Sequence, residues 1–157
     1  MNNNQKGSTG GPQLVMTAPE LSKYVQSVFP QAQSYGWTVE DLQPSAITVG
    51  MLATGDNLRP GGTVSGPTMF ALADITAYLL VLAHIDEVAL AVTTNLSINF
   101  LSKPLPGALI GHGRLLKLGK RLAVCEIHIH STGNETVIAQ ATATYSIPPG
   151  KPAGLDN

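Results

Sequence analysis

The stretch Arg59-Pro-Gly-Gly-Thr-Val-Ser-Gly-Pro-Thr-Met-Phe-Ala-Leu-Ala-Asp74 runs a glycine-rich loop straight into an apolar segment that carries one carboxylate. Ser65 is a good helix N-cap, and Pro67 suits a first turn in which its missing N–H costs nothing. The N–H of Gly66 is then left free at the positive end of the helix dipole, where a carbonyl oxygen would be polarised. Plain helix capping after a turn explains the same loop without chemistry. Asp74 is an acid in apolar surroundings, which is costly unless something compensates it. It reads as a base or nucleophile, or as a buried acid satisfied by a nearby Ser, Thr or backbone N–H. Eight residues of helix separate Gly66 from Asp74, about 12 Å along the axis and roughly 80° around it. That is too far for both to act on one carbonyl within one chain. If both act, two chains meet, and the expectation is a dimer with composite sites.

The elements that must position these groups follow from periodicity. The helix is expected from Ser65 to about His84, roughly 27 Å long, and apolar almost all round, so it should be buried. Before it, Ala46 to Thr54 alternates as a strand, Gly55-Asp56-Asn57 turns, and Asn57-Leu58-Arg59 resumes a short strand. After it, Leu96, Ile98 and Phe100 alternate with Asn95, Ser97 and Asn99. Lys103 to Gly107 reads as a turn, followed by strands over 108–118, 121–132 and 136–147 with short turns between them, an antiparallel meander. Apolar residues at 21, 24, 25, 28 and 29 predict a helix over 19–30 that packs as a small lid. The result is a single α+β domain over 19–148, one sheet with a buried helix on one face, between tails at 1–18 and 149–157.

Composition narrows the classes. The 157 residues carry 12% charged and 43% hydrophobic side chains, with a net charge of −1. So few charges suggest that further surface is buried between subunits, and a balanced charge argues against a nucleic-acid partner. One cysteine, Cys125, excludes an internal disulfide. Neither a signal peptide nor a membrane span is visible, and a cytoplasmic location is the simplest expectation. His128 and His130 point to one face of a strand, but no third ligand stands near in sequence, so no metal is expected. Cys125 falls on the opposite face as a small core residue. His84 and His112 show no obvious partner. No Gly-x-Ser-x-Gly elbow, Walker loop or dinucleotide fingerprint is present.

Taken together, these segments resemble the PaaI-like hotdog-fold thioesterases of the phenylacetic-acid-degradation group. Gly62-Thr-Val-Ser65-Gly66-Pro67 and Leu72-Ala73-Asp74 keep the spacing of that family's loop and its Leu-Ala-Asp. Val92 to Leu101 looks like its next strand, Leu118 to Ala123 like its Gly-Lys/Arg turn, and Val137 to Ala141 like its closing strand. The likeness covers residues 46–147. It implies a hotdog fold, a curved antiparallel sheet around a central helix, and hydrolysis of acyl-coenzyme A thioesters without a cofactor. It also implies a homodimer, assembled as a dimer of dimers. By position, Gly66 would polarise the carbonyl, Asp74 would serve as nucleophile or general base, and Thr93 would orient water or the acid. Lys120 and Arg121 lie on the turn that meets the nucleotide end.

The chain departs from the family at Ser65, where the pattern has His, at Pro67, where it has Gly, and at Arg59, where it has Asn. Ser65 can still cap the helix, and Arg59 could pair with Asp74 or with a coenzyme phosphate. Met69, Phe70 and Tyr78 are candidates for the acyl pocket or for core packing. A non-catalytic acyl-CoA-binding protein, a hydratase and a structural oligomer are the rival readings.

Overall fold

Ser65 caps α2 (Gly66–Ile85), its Oγ accepting the Thr68 N–H at 3.3 Å, and Asp86 closes the helix in a positive-φ conformation. The computed structural model describes residues 11–149. By length and composition α2 could cross a membrane, but most of it is buried inside the protein. What buries it is one antiparallel sheet of six strands: β1 (Trp37–Gln43), β2 (Ala46–Ala53), β3 (Val92–Phe100), β4 (Gly107–Leu118), β5 (Leu122–Ser131) and β6 (Ala139–Ser146). The strands curve around the helix, giving the hotdog arrangement that the sequence led us to expect.

Two glycines let the helix approach the sheet. A Cβ on Gly111 of β4 would stand 2.6 Å from Thr76 Oγ1, and one on Gly113 would stand 3.0 Å from Thr76 Cγ2 and Ile47 Cγ2. On β6 the inward positions Ala139, Ala141 and Ala143 are likewise small, and Tyr145 ends the row. Leu72, Leu79, Leu80 and Leu82 fill the space between helix and sheet.

Strand order is β1-β2-β4-β5-β6-β3, so the expected meander is corrected at one place. β4 pairs with β2 on one edge and β5 on the other, leaving no edge for β3. β3 therefore crosses to the free edge of β6. The Lys103 to Gly107 segment is accordingly a crossing link rather than a hairpin turn. Its Pro104 carbonyl accepts the Val64 N–H at 2.9 Å, which ties the link to the loop before α2. Leu58 forms only an isolated bridge with Val64, after a 3-10 turn over Gly55–Asn57, in place of the short strand expected at 57–59.

β1 was not foreseen. Glu40 and Asp41 interrupt its apolar alternation, and a register shift between Val39 and Asp41 absorbs the break. The first helix is α1 (Ala18–Val28), capped by Thr17 and Glu20. Leu21 and Val25 are fully buried, and α1 packs against β1 and α2, so it belongs to the core rather than forming a lid. Residues 1–10 and 150–157 of the expected tails lie outside the described residues. Within the tail expected at 1–18, Val15 N–H bonds Ala83 O at 2.8 Å and Met16 is buried.

His84 finds partners that its sequence neighbourhood did not suggest. Ser45 N–H donates to its Nε2 at 2.9 Å, which leaves its Nδ1–H to donate to Leu80 O at 2.8 Å. The imidazole thus pins the positive-φ Ser45 turn between β1 and β2 onto the helix.

Candidate active site

Asp74 sits in the third turn of α2, half-buried, beneath β3 and β6. Thr93 Oγ1 donates to its Oδ1 at 2.7 Å, and Tyr145 Oη donates to the same Oδ1 at 2.8 Å. Among the described residues, no donor reaches Oδ2. Simple alternation would turn Thr93 outward with Asn95 and Ser97. The register shift between Thr93 and Asn95 instead pairs Thr93 with inward-facing Tyr145, while Leu96 and Ile98 pair with inward Ala143 and Ala141. One extra residue in an edge strand is what aims the hydroxyl at the acid.

Tyr145 is the site residue that the sequence reading missed. It is 1% exposed and lies on the inward row of β6. Burial, followed by the neighbouring Asp74 charge, pushes its phenol far above the ordinary tyrosine range, so it stays a donor. A buried tyrosine at the end of an alanine row must find a partner for its hydroxyl. The sequence carries that signal, but only strand register shows which partner.

At the helix start, Gly66 is the one residue of the first turn with a free N–H. Pro67 has none, Thr68 N–H is taken by Ser65 Oγ, and Gly66 donates to nothing among the described residues. Ser65 Oγ also meets Thr68 Oγ1 at 2.8 Å, and Ser65 N–H bonds Asn57 O at 2.8 Å, which locks the loop to the helix. The Phe100 ring packs against Gly66, 3.3 Å from where a Cβ would stand.

Gly66 and Asp74 line one open cleft of about 800 Å³, together with Asn57, Ser65, Phe70 and Phe100. Arg59 is exposed and forms no ion pair with Asp74 among the described residues. It faces a smaller adjoining hollow of about 280 Å³ with Lys103, sharing Gly66 and Phe100 with the main cleft. Lys120 and Arg121 are exposed on the β4–β5 turn. Ala123, two residues on, pairs with Tyr145, so this turn stands at the Asp74 end of the sheet. Of the expected pocket residues, Phe70 lines the cleft, Met69 is buried at the edge of the smaller hollow and Tyr78 is buried in the core.

Three of the four histidines gather elsewhere. His112 pairs across strands with His128, and its ring meets that of His130 edge-on at 5.3 Å, on the face of the sheet turned away from α2. No group of three His, Cys, Asp or Glu among the described residues is suited to a metal. Cys125 is fully buried, and burial pushes its thiol up to about 12, which makes it inert.

Comparison with known proteins gives this geometry a family. The profile of the thioesterase superfamily matches residues 61–138, the span from the glycine loop to the start of β6. A candidate thioesterase from Silicibacter sp. TM1040 is 51% identical, with 88% of this chain and 96% of that one aligned and a TM-score of 0.81. A phenylacetic-acid-degradation-related candidate thioesterase from Ralstonia eutropha JMP134 shares the fold at 24% identity, over 79% of this chain and 98% of that one, with a TM-score of 0.71. A candidate esterase from Saccharolobus solfataricus is 33% identical over 89 residues, and the chain spans 58% of the length of that relative. The chain belongs to the thioesterase superfamily, and hydrolysis of a thioester is its class of chemistry.

Proposed function

We propose that the chain hydrolyses an acyl-CoA thioester to the free acid and coenzyme A, at sites shared between two copies. The Gly66 N–H of one protomer polarises the thioester carbonyl, and Asp74 of the partner subunit attacks it or activates the attacking water. Thr93 holds that carboxylate. Thiolate is a good leaving group, so a site with one N–H donor and one carboxylate suffices. The observation that carries this reading is a free helix N–H and a half-satisfied carboxylate that line one cleft yet lie about 12 Å apart along their own helix.

Two further features support it. Among the described residues β3 ends the sheet with an unpaired edge, flanked by exposed Val92, Phe100 and Leu101, an edge suited to pairing with a second copy. The exposed cations Arg59 and Lys103 beside the cleft, and Lys120 and Arg121 on the β4–β5 turn, support a ligand that carries phosphates.

Subunit complementation tests the shared site. Gly66→Pro removes the N–H at the first helical position, where the Phe100 ring has to yield to the added Cβ, and Asp74→Asn removes the base. Each variant alone should be inactive against a panel of acyl-CoA thioesters that the wild type hydrolyses. Equal mixing after unfolding and refolding together should restore about a quarter of wild-type activity, because half of the dimers are mixed and each carries one intact site. No recovery would mean that each chain supplies both groups. Absence of wild-type turnover across aliphatic and aromatic acyl-CoA would overturn the substrate.

A further inference from the structure

We propose that Tyr145 is a positioning residue for the reaction, one that clamps Asp74 by its backbone and one carboxylate oxygen and so presents the other oxygen to the cleft. The inference rests on the reading of Asp74 as the reacting carboxylate. A carboxylate on a helix turns about two torsions, and an acid facing an open cleft has room to do so. Tyr145 removes that freedom. Its single hydroxyl reaches two acceptors on the same residue, Asp74 Oδ1 at 2.8 Å and Asp74 O at 3.1 Å. The side chain is thereby referenced to its own backbone.

The clamp is itself rigid. The Tyr145 ring is buried and stacks on Tyr78 at 6.3 Å with 26° between planes. Tyr78 is in turn held by its hydroxyl to Ala89 O at 3.1 Å and packs edge-on against Phe29. Its cross-strand neighbour Ala123 and Ala143, two residues before it on the same row, are small and buried. Thr93 donates to the same Oδ1 from the edge strand, so the two hydroxyls saturate one oxygen from two sides. Oδ2 is what remains for water or the acyl carbon. A misaimed carboxylate loses rate far more than binding, since the tyrosine touches no substrate.

Tyr145→Phe keeps the ring and removes the clamp. Steady-state kinetics should show kcat reduced about tenfold or more, with KM within about twofold, and circular dichroism should show the fold intact despite a modest fall in melting temperature. A 3,5-difluorotyrosine at position 145 is a second probe of almost native shape. As a stronger donor it draws charge from the carboxylate and should lower kcat at constant KM. Asp74→Asn is measured alongside. Wild-type activity in Asp74→Asn would overturn the reading of Asp74 and this proposal with it. An inactive Asp74→Asn beside a Tyr145→Phe of wild-type kcat would overturn the clamp alone. If Tyr145→Phe fails to fold, the fluorotyrosine protein decides: unchanged kcat means that Tyr145 serves packing only.

Discussion

Two clusters of titratable groups stand on opposite faces of the same sheet. On the inner face, Thr93 and Tyr145 converge on one oxygen of Asp74 beside a cleft. On the outer face, His112, His128, His130, Glu40, Glu126 and Arg114 are spread over three strands, richer in ionisable groups yet turned away from α2 and its cleft. Arg114 pairs with Glu126 at 3.3 Å, and His128 meets the same carboxylate at 3.4 Å. Thr48 Oγ1 lies 3.1 Å from His112 Nδ1. The lesson is that density of charge does not make a site. Nor does convergence alone, since Arg114 and His128 meet on one oxygen of Glu126. What sets Asp74 apart is that two hydroxyls hold one of its oxygens while the carboxylate lines a cleft that also holds the free Gly66 N–H, so that it is aimed at a space a substrate can fill.

The sharpest break in this contrast is Asp74→Asn, which keeps the shape and removes the charge. Loss of a general base or nucleophile should cut kcat/KM by about 10²- to 10⁴-fold, read by thiol release, while circular dichroism shows an intact fold. Retention of wild-type rates would make the inner cluster as structural as the outer one. Next in size, Thr93→Val should lower kcat about tenfold or more by removing a charge-assisted hydrogen bond, with circular dichroism showing that the near-isosteric side chain keeps the fold.

A stability test addresses how the helix is held near the sheet. Gly111→Val forces a side chain into the space of Thr76 Oγ1 and should destabilise the protein by about 1–3 kcal/mol in urea unfolding. An unchanged midpoint would mean that the helix can lift away from β4 without cost.

The smallest effect belongs to the outer face. Burial first, then the charges of His130 and His128, lower the pKa of His112 below its usual 6.5, with Glu40 opposing. The unfolded chain therefore takes up this proton at higher pH than the native one. The stabilisation is present above about pH 6.5 and is lost as the pH falls through the lowered native value. His112→Gln should flatten the fall in melting temperature over that window and leave kcat/KM at neutral pH within about twofold of wild type. A large loss of activity would place chemistry on the outer face after all.

Much of this was legible in the chain. The capping serine, the glycine and proline behind it and the unbroken apolar run predict α2 almost to the residue, and Asp74 stands out because an acid there needs a reason. Strands β2, β4, β5 and β6 follow from alternation. The parts that were hidden share a cause. β1 is masked by Glu40 and Asp41, whose side chains escape to solvent through a bulge. The pairing of β3 depends on which edges β4 has left, and no local pattern records that. His84 meets Ser45 across 39 residues of sequence, and Arg59 lines a hollow with Lys103 rather than pairing with Asp74.

By itself the sequence determined the helix, the capped start that frees the Gly66 amide and the acid eight residues along it, because each is written in spacing along one element. The family resemblance came from the order of several such segments over residues 46–147. Tertiary structure alone decided that Thr93 faces inward and that Tyr145 joins it on Asp74. A one-residue bulge turns a strand over, and a phenol finds its acceptor across 71 residues of chain. Both outcomes depend on register between strands, which is settled only when the whole sheet closes on the helix.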